Sequence, residues 1–297
     1  MGFDHGHDWS ETARKIEDLG YSTLLVPDHF ADQLAPFPAL MAAAVATSTL
    51  RVGTYMCAVD FRHPAMLAKE AATIDLLSSG RFELGIGAGW RKSEYNDAGI
   101  EFASGAVRID RLEEAVAVIR AMWDGKPFSF HGKHYVIDNM QGRPLPFYQI
   151  SPPILIGGAG EKILSLAGRT ADIISIAPRT FATGTRDESD ISESSFINKL
   201  GVLRASAGSR YDQIELNASV LSVNITNDRM GAAEALAVRY GLTPDEVITS
   251  PHLLVGNVDQ VVDCLVERRE RFGLSYVVVS EPALDQLGPV VARLSGK

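Results

Sequence analysis

The sequence predicts an α/β fold in which buried parallel strands alternate with amphipathic helices. Short apolar runs recur without strict polar alternation, which is how strands buried on both faces read. Segments of helical periodicity separate them. Glycine-rich stretches follow two of the runs, where a strand hands over to the next element in such folds. The order fits either a doubly wound sheet or a (β/α)8 barrel. A length of 297 residues suits one barrel domain spanning residues 1–297.

In chain order, a barrel needs a first strand before Asp8. Only residues 1–4 are available, so that strand is expected to be short or truncated. Trp9, Ala13, Ile16 and Gly20 share a helix face, with Ser10 as the expected cap. Strands are predicted at residues 23–26, 51–57, 81–86, 154–156, 172–176, 216–223 and 276–279. Ile109, Leu112, Val116, Ile119 and Trp123 repeat at helical spacing, as do Val258, Val261, Val262, Leu265 and Phe272. Residues 128–137 read as a hairpin excursion before the fifth strand, with Gly132-Lys133 at its turn. Pro144, Pro146, Pro152 and Pro153 then form a stiff lead into that strand.

Composition excludes several classes. With a net charge of -9 and no basic stripe, nucleic acid is not an expected partner. Cys57 and Cys264 are the only cysteines, which fits a reducing cytoplasm better than a disulfide framework. No run reaches the roughly 18–20 apolar residues of a membrane span, and residues 1–8 carry no apolar signal core. The expected partners are a small-molecule substrate and a second copy of the chain.

The candidate chemistry lies at the strand ends, where barrels and doubly wound sheets place their sites. Residues 80–90, G-R-F-E-L-G-I-G-A-G-W, run from a strand into alternating glycines and then Arg91, Lys92, Ser93 and Glu94. Glycine lets a backbone approach a flat or anionic ligand closely. The spacing G-x-G-x-G differs from the dinucleotide fingerprint. Gly157, Gly158, Ala159 and Gly160 stand directly before a helix. Free N–H groups at that positive end suit phosphate, and a plain tight turn is the alternative reading. His29 is the candidate proton carrier, with Asp28 as its orienting neighbour. Its alternative is a loop-capping histidine. Cys57 reads as a core thiol. The histidines share no metal-ligand spacing, so no metal is expected. The absence of G-x-S-x-G argues against an α/β hydrolase.

Four segments together resemble a known family: residues 23–30 (T-L-L-V-P-D-H-F), residues 61–64 (F-R-H-P) leading into 68–75, residues 80–94, and residues 153–160 (P-I-L-I-G-G-A-G). The chain resembles the luciferase-like monooxygenase superfamily, in its branch that uses the deazaflavin coenzyme F420. The resemblance runs from about residue 9 to about residue 279. It implies a bacterial-luciferase-like (β/α)8 TIM barrel and an oxidoreductase that passes hydride between F420 and a small unsaturated or heterocyclic metabolite at a C=C, C=N or C=O bond. It also implies a non-prolyl cis peptide at Tyr55–Met56, with Met56 backing the ring and Ala58 near its pyrimidine edge. Gly87, Gly89, Trp90, Ser93 and Glu94 would line the cofactor site, and residues 157–160 would hold its phosphate region. Phe30, Trp90 and Arg179 are the expected substrate contacts. Relatives that act on sugar phosphates carry a glutamate where this chain has Trp90. The alternatives are an FMN-dependent monooxygenase using O2 and a relative that binds flavin without turnover.

Overall fold

The computed structural model describes residues 8–296. The first strand expected before Asp8 lies outside the described residues. The chain divides into two compact units: residues 1–18 with 22–156, and residues 19–21 with 157–297.

The first unit begins with helix α1 (Trp9–Asp18), which buries Ala13 and Ile16. Its cap is Asp8 rather than the expected Ser10, because Asp8 Oδ1 accepts from the Ser10 N–H at 2.8 Å. A carboxylate two positions earlier reaches the free N–H groups of the first turn. Strand β1 (Thr23–Val26), helix α2 (Pro36–Ala46) and strand β2 (Arg51–Thr54) follow. The predicted run 51–57 is broken: β2 stops, a cis peptide joins Tyr55 to Met56, and a short β3 (Cys57–Ala58) resumes. Helix α3 (Pro64–Leu77) starts with proline in its first turn, where no N–H is needed.

Strand β4 (Phe82–Gly87) is buried along its whole length. It leads to the short α4 (Lys92–Asp97) and the long α5 (Gly105–Asp124), which Ser104 caps. The predicted hairpin is present as antiparallel β5 (Pro127–His131) and β6 (Val136–Gln141). Glu114 of α5 ties its tip, accepting from the N–H groups of Lys133, His134 and Tyr135. The unit ends within strand β7 (Ile154–Gly158), at Ile156. Parallel pairing runs β1–β2–β4, with Thr23 opposite Arg51 and Val52 opposite Phe82. It continues from β4 to β7, with Leu84 opposite Ile154, while β3 pairs with β4 through Cys57 and Ile86.

The second unit holds α6 (Glu161–Thr170), β8 (Ile173–Ile176), α7 (Glu193–Ala207) and β9 (Glu215–Ser219). It continues with β10 (Ser222–Ile225), α8 (Arg229–Tyr240), α9 (Pro244–Thr249) and β11 (Leu253–Gly256). It ends with α10 (Val258–Phe272), β12 (Leu274–Val278) and α11 (Leu284–Leu294). Strands β8, β9 and β12 pair in parallel in that order, and β10 pairs with β11. The predicted strand 216–223 is therefore two strands, and β11 was not expected. The break comes from a change of partner. The Val220 N–H donates to the Val278 carbonyl, and the next N–H, of Leu221, donates to the His252 carbonyl. Leu254 of β11 packs with Val220, Val261 and Leu287, while Leu253 and Val255 face Leu236, Tyr240 and Val247. That alternation buries β11 on both sides, as period-two geometry requires.

No helix among the described residues is long and apolar enough to cross a membrane.

Candidate active site

Strand β1 runs into Pro27, Asp28, His29 and Phe30 at its C-terminal end. Asp28 and His29 are neighbours in sequence with different partners. Arg62 donates to both Asp28 oxygens, while His29 Nδ1 lies 3.0 Å from Glu94 Oε2. The expected pairing, in which Asp28 orients His29, gives way to Glu94. Both Asp28 oxygens are taken up by the Arg62 guanidinium, and the buried Glu94 carboxylate meets the imidazole instead. Arg62 follows a one-turn helix at residues 59–61 that leads into α3. Burial keeps the nearby Glu70 carboxyl above the usual carboxylate range, against the pull of Arg62.

Glu94 is buried on α4, and its other oxygen accepts from Arg91 Nη1 at 3.0 Å. The Arg91 guanidinium lies over the Trp90 ring, 4.7 Å from its centroid. Trp90 in turn meets the His29 ring edge to face, with centroids 5.8 Å apart at 85°. The chain thus brings His29, Trp90, Arg91 and Glu94 together. Glu94, expected at the cofactor, is engaged by protein groups. Ser93 is exposed on α4.

Behind this group the backbone packs tightly. Thr54 Oγ1 donates to the Gly85 carbonyl at 2.7 Å. A Cβ on Gly85 would lie 1.9 Å from the Thr54 carbonyl oxygen, so that glycine is demanded by the strand pair. Gly89 has φ +72, and a Cβ there would meet Tyr95 Oη at 1.8 Å. Gly87 differs: a Cβ would sit at ordinary contact, 3.7 Å from Met56 Cβ. The protein's own packing does not require glycine there, and the space beside Met56 suits a flat guest. Tyr55 and Met56 are half-buried around the cis bond, and Ala58 is buried at the end of β3.

A polar cluster braces the far side. Asp60 accepts from Tyr95 Oη at 3.1 Å and from Arg111 Nη1 at 3.3 Å. Burial and the adjacent Asp60 push the Tyr95 phenol well above its usual value, so it stays a donor. Phe30 is 60% exposed and stacks on Phe61 at 4.9 Å, and Phe61 lies 5.0 Å from Tyr95. Cys57 is buried, and burial raises its thiol far above the ordinary range, which makes it a poor nucleophile.

The expected phosphate segment, residues 157–160, lies in the second unit at the start of α6. Gly160 precedes the helix with no side-chain cap, and a Cβ there would meet nothing within 4 Å. At Gly158 a Cβ would strike Ile163 Cγ2 at 2.3 Å, so that glycine answers to packing. Arg179 is exposed after β8, and its backbone N–H donates to Asp190 Oδ2 at 2.6 Å. No group of three or more His, Cys, Asp or Glu side chains that could hold a metal occurs among the described residues.

Sequence reading missed Arg62 as the partner of Asp28, Glu94 as the partner of His29, and the Asp60–Tyr95–Arg111 cluster. Arg91 and Glu94 sit three apart on one helical turn, a spacing that signals a pair. The others join residues distant in sequence and leave no local signal.

The family model for luciferase-like monooxygenases matches residues 4–192. The chain is 32% identical over 173 residues to an F420-dependent glucose-6-phosphate dehydrogenase of Amycolatopsis mediterranei, covering 56% of this chain and 51% of that one. It is 33% identical over 168 residues to an F420-dependent hydroxymycolic acid dehydrogenase of Mycobacterium tuberculosis, covering 54% and 46%. The chain spans about half the length of the curated relatives it matches. A solved F420-dependent secondary alcohol dehydrogenase, in complex with an F420-acetone adduct, superposes with a TM-score of 0.72 at 22% identity, covering 95% of this chain and 91% of that one. The fold is therefore the α/β fold of the luciferase-like TIM barrels.

Proposed function

Because the chain belongs to the luciferase-like monooxygenase family, we propose that it is an oxidoreductase that uses coenzyme F420 and a small substrate with a carbonyl or carbinol carbon. Both curated relatives above are named as F420-dependent dehydrogenases, which supports the reading. The observation that carries it within this chain is the meeting of His29, Trp90 and Glu94 at the strand ends of the first unit, with room beside Met56 at Gly87.

The residues fit a planar cofactor. Gly87 leaves unfilled space where its Cβ would be, and Met56 stands at the edge of that space. We assign the ring to Met56, Ala58, Gly87 and Trp90. In the second unit, taken by itself, the uncapped start of α6 at residues 157–160 offers N–H groups that suit a phosphate. When bound, the deazaflavin supplies or accepts hydride. His29 holds the proton that balances it, being half-buried and aimed by a carboxylate. Trp90 and Phe30 give the substrate an apolar surface, and Trp90 in place of an acid leaves His29 as the proton carrier.

Fluorescence titration with F420 and, separately, with FMN tests the assignment. Saturable F420 binding is expected. FMN binding without F420 binding would replace the reading with an oxygen-using flavin enzyme, and binding of neither would leave a fold without this chemistry.

A further inference from the structure

We propose that Glu94, held by Arg91, is a positioning residue that fixes the tautomer of His29, making Nε2 the atom that exchanges the proton. This rests on the proposed function only for the use to which Nε2 is put.

The geometry is a closed circuit of side chains. His29 Nδ1 meets Glu94 Oε2 at 3.0 Å, and Glu94 Oε1 takes the Arg91 Nη1 hydrogen bond at 3.0 Å. Arg91 covers Trp90 at 4.7 Å, and Trp90 abuts the His29 ring at 5.8 Å. The carboxylate is 9% exposed, the imidazole 24%. An ionised carboxylate offers only acceptor oxygens, and a guanidinium only donors. With Arg91 on one oxygen, the other accepts from Nδ1–H. A neutral imidazole carries one hydrogen, so Nε2 keeps its lone pair. The Nδ1 hydrogen bond to Glu94, with Trp90 packed edge to face on the ring, gives the lone pair its direction.

Arg91 makes this testable, because it dictates how an isosteric amide orients. In Glu94→Gln, the guanidinium selects the amide oxygen. The NH2 then faces His29 Nδ1, which becomes an acceptor, and the ring hydrogen moves to Nε2. A purely structural carboxylate would tolerate this substitution. A tautomer-setting one would not.

The experiment is 15N-resolved NMR of the imidazoles in the full chain without cofactor, at a pH where His29 is neutral. The His29 signals are assigned by their loss in His29→Gln. The wild type is expected to show the attached hydrogen on Nδ1, and Glu94→Gln to show it on Nε2. Circular dichroism melts check that the variant is folded, and adding Arg91→Met to Glu94→Gln supplies a second test: with no guanidinium to choose the amide oxygen, the double variant should give mixed tautomers. A wild-type hydrogen on Nε2, or an unchanged signal in both variants, overturns the proposal. If the tautomer inverts but F420 does not bind, the positioning role stands and the cofactor reading fails. If F420 binds and the tautomer ignores Glu94, the converse holds.

Discussion

Arg62 grips the Asp28 carboxylate with both ends of its guanidinium, Nη1 to Oδ2 at 2.5 Å and Nη2 to Oδ1 at 3.2 Å. The bidentate pair fixes the chain one residue before His29. Its value is positional: it prevents the loop after β1 from turning His29 away from Glu94. Arg62→Leu would leave Asp28 without its cation and should cost about 2–3 kcal/mol. Arg62→Lys keeps the charge, loses the second hydrogen bond and should cost about 1 kcal/mol. Urea unfolding measures both. Equal losses would mean that the fork geometry contributes nothing.

His29→Ala should lower turnover by about 10²- to 10⁴-fold, the usual contribution of a positioned acid or base. F420 affinity should change little. Reduction of F420 by a panel of secondary alcohols, with binding followed by fluorescence, separates the two. A variant as active as wild type would move the proton role to another group.

The glycines divide by what limits them. Gly89→Ala combines φ +72 with a clash on Tyr95, so the Tm should fall by several degrees, about 2 kcal/mol or more. Gly160→Ala places its methyl in open space, so the fold should be unaffected. If the start of α6 holds an anion, binding of inorganic phosphate should weaken roughly tenfold with this second substitution, because a methyl group hinders close backbone approach. Gly158 is the poorer test, since a side chain there strikes Ile163.

His252 is fully buried, with Nδ1 on the Ser219 carbonyl at 3.0 Å and its ring against Phe196 at 5.7 Å. Burial, with help from the nearby cations Lys199 and Arg268 and against the pull of Ser219 and Asp190, lowers its pKa to about 4. Below pH 6.5 the unfolded chain takes a proton that the folded chain refuses. The stabilisation is complete above 6.5 and is lost as pH falls toward 4. The loss should be on the order of 2–3 kcal/mol. Tm measured against pH for wild type and His252→Leu gives the difference. Parallel curves would remove His252 from the acid response.

Much of the fold was legible because periodicity and burial act locally. Leu112, Val116, Ile119 and Trp123 lie on one turn-by-turn face of α5, and all are buried. The hairpin itself needed only local pattern, although its loop runs from Gly132 to Tyr135 rather than turning at Gly132-Lys133 alone. The site was legible as places and not as pairs. His29 stood out by type, and adjacency suggested Asp28, yet its partner arrives from 65 positions away. Strand β11 hid in a run of only Leu253–Gly256. The break before β10 left no mark either, since apolar residues continue through Val220 and Leu221.

That break has a thermodynamic consequence. The Val220 amide is protected by β12 and the Leu221 amide by the segment entering β11. Adjacent backbone positions therefore report on separate openings. If β10 and β11 loosen with α8 and α9 before β9 and β12 part, hydrogen exchange at Leu221 will outpace that at Val220. The two amides form a paired gauge of whether the second unit melts in one event or two.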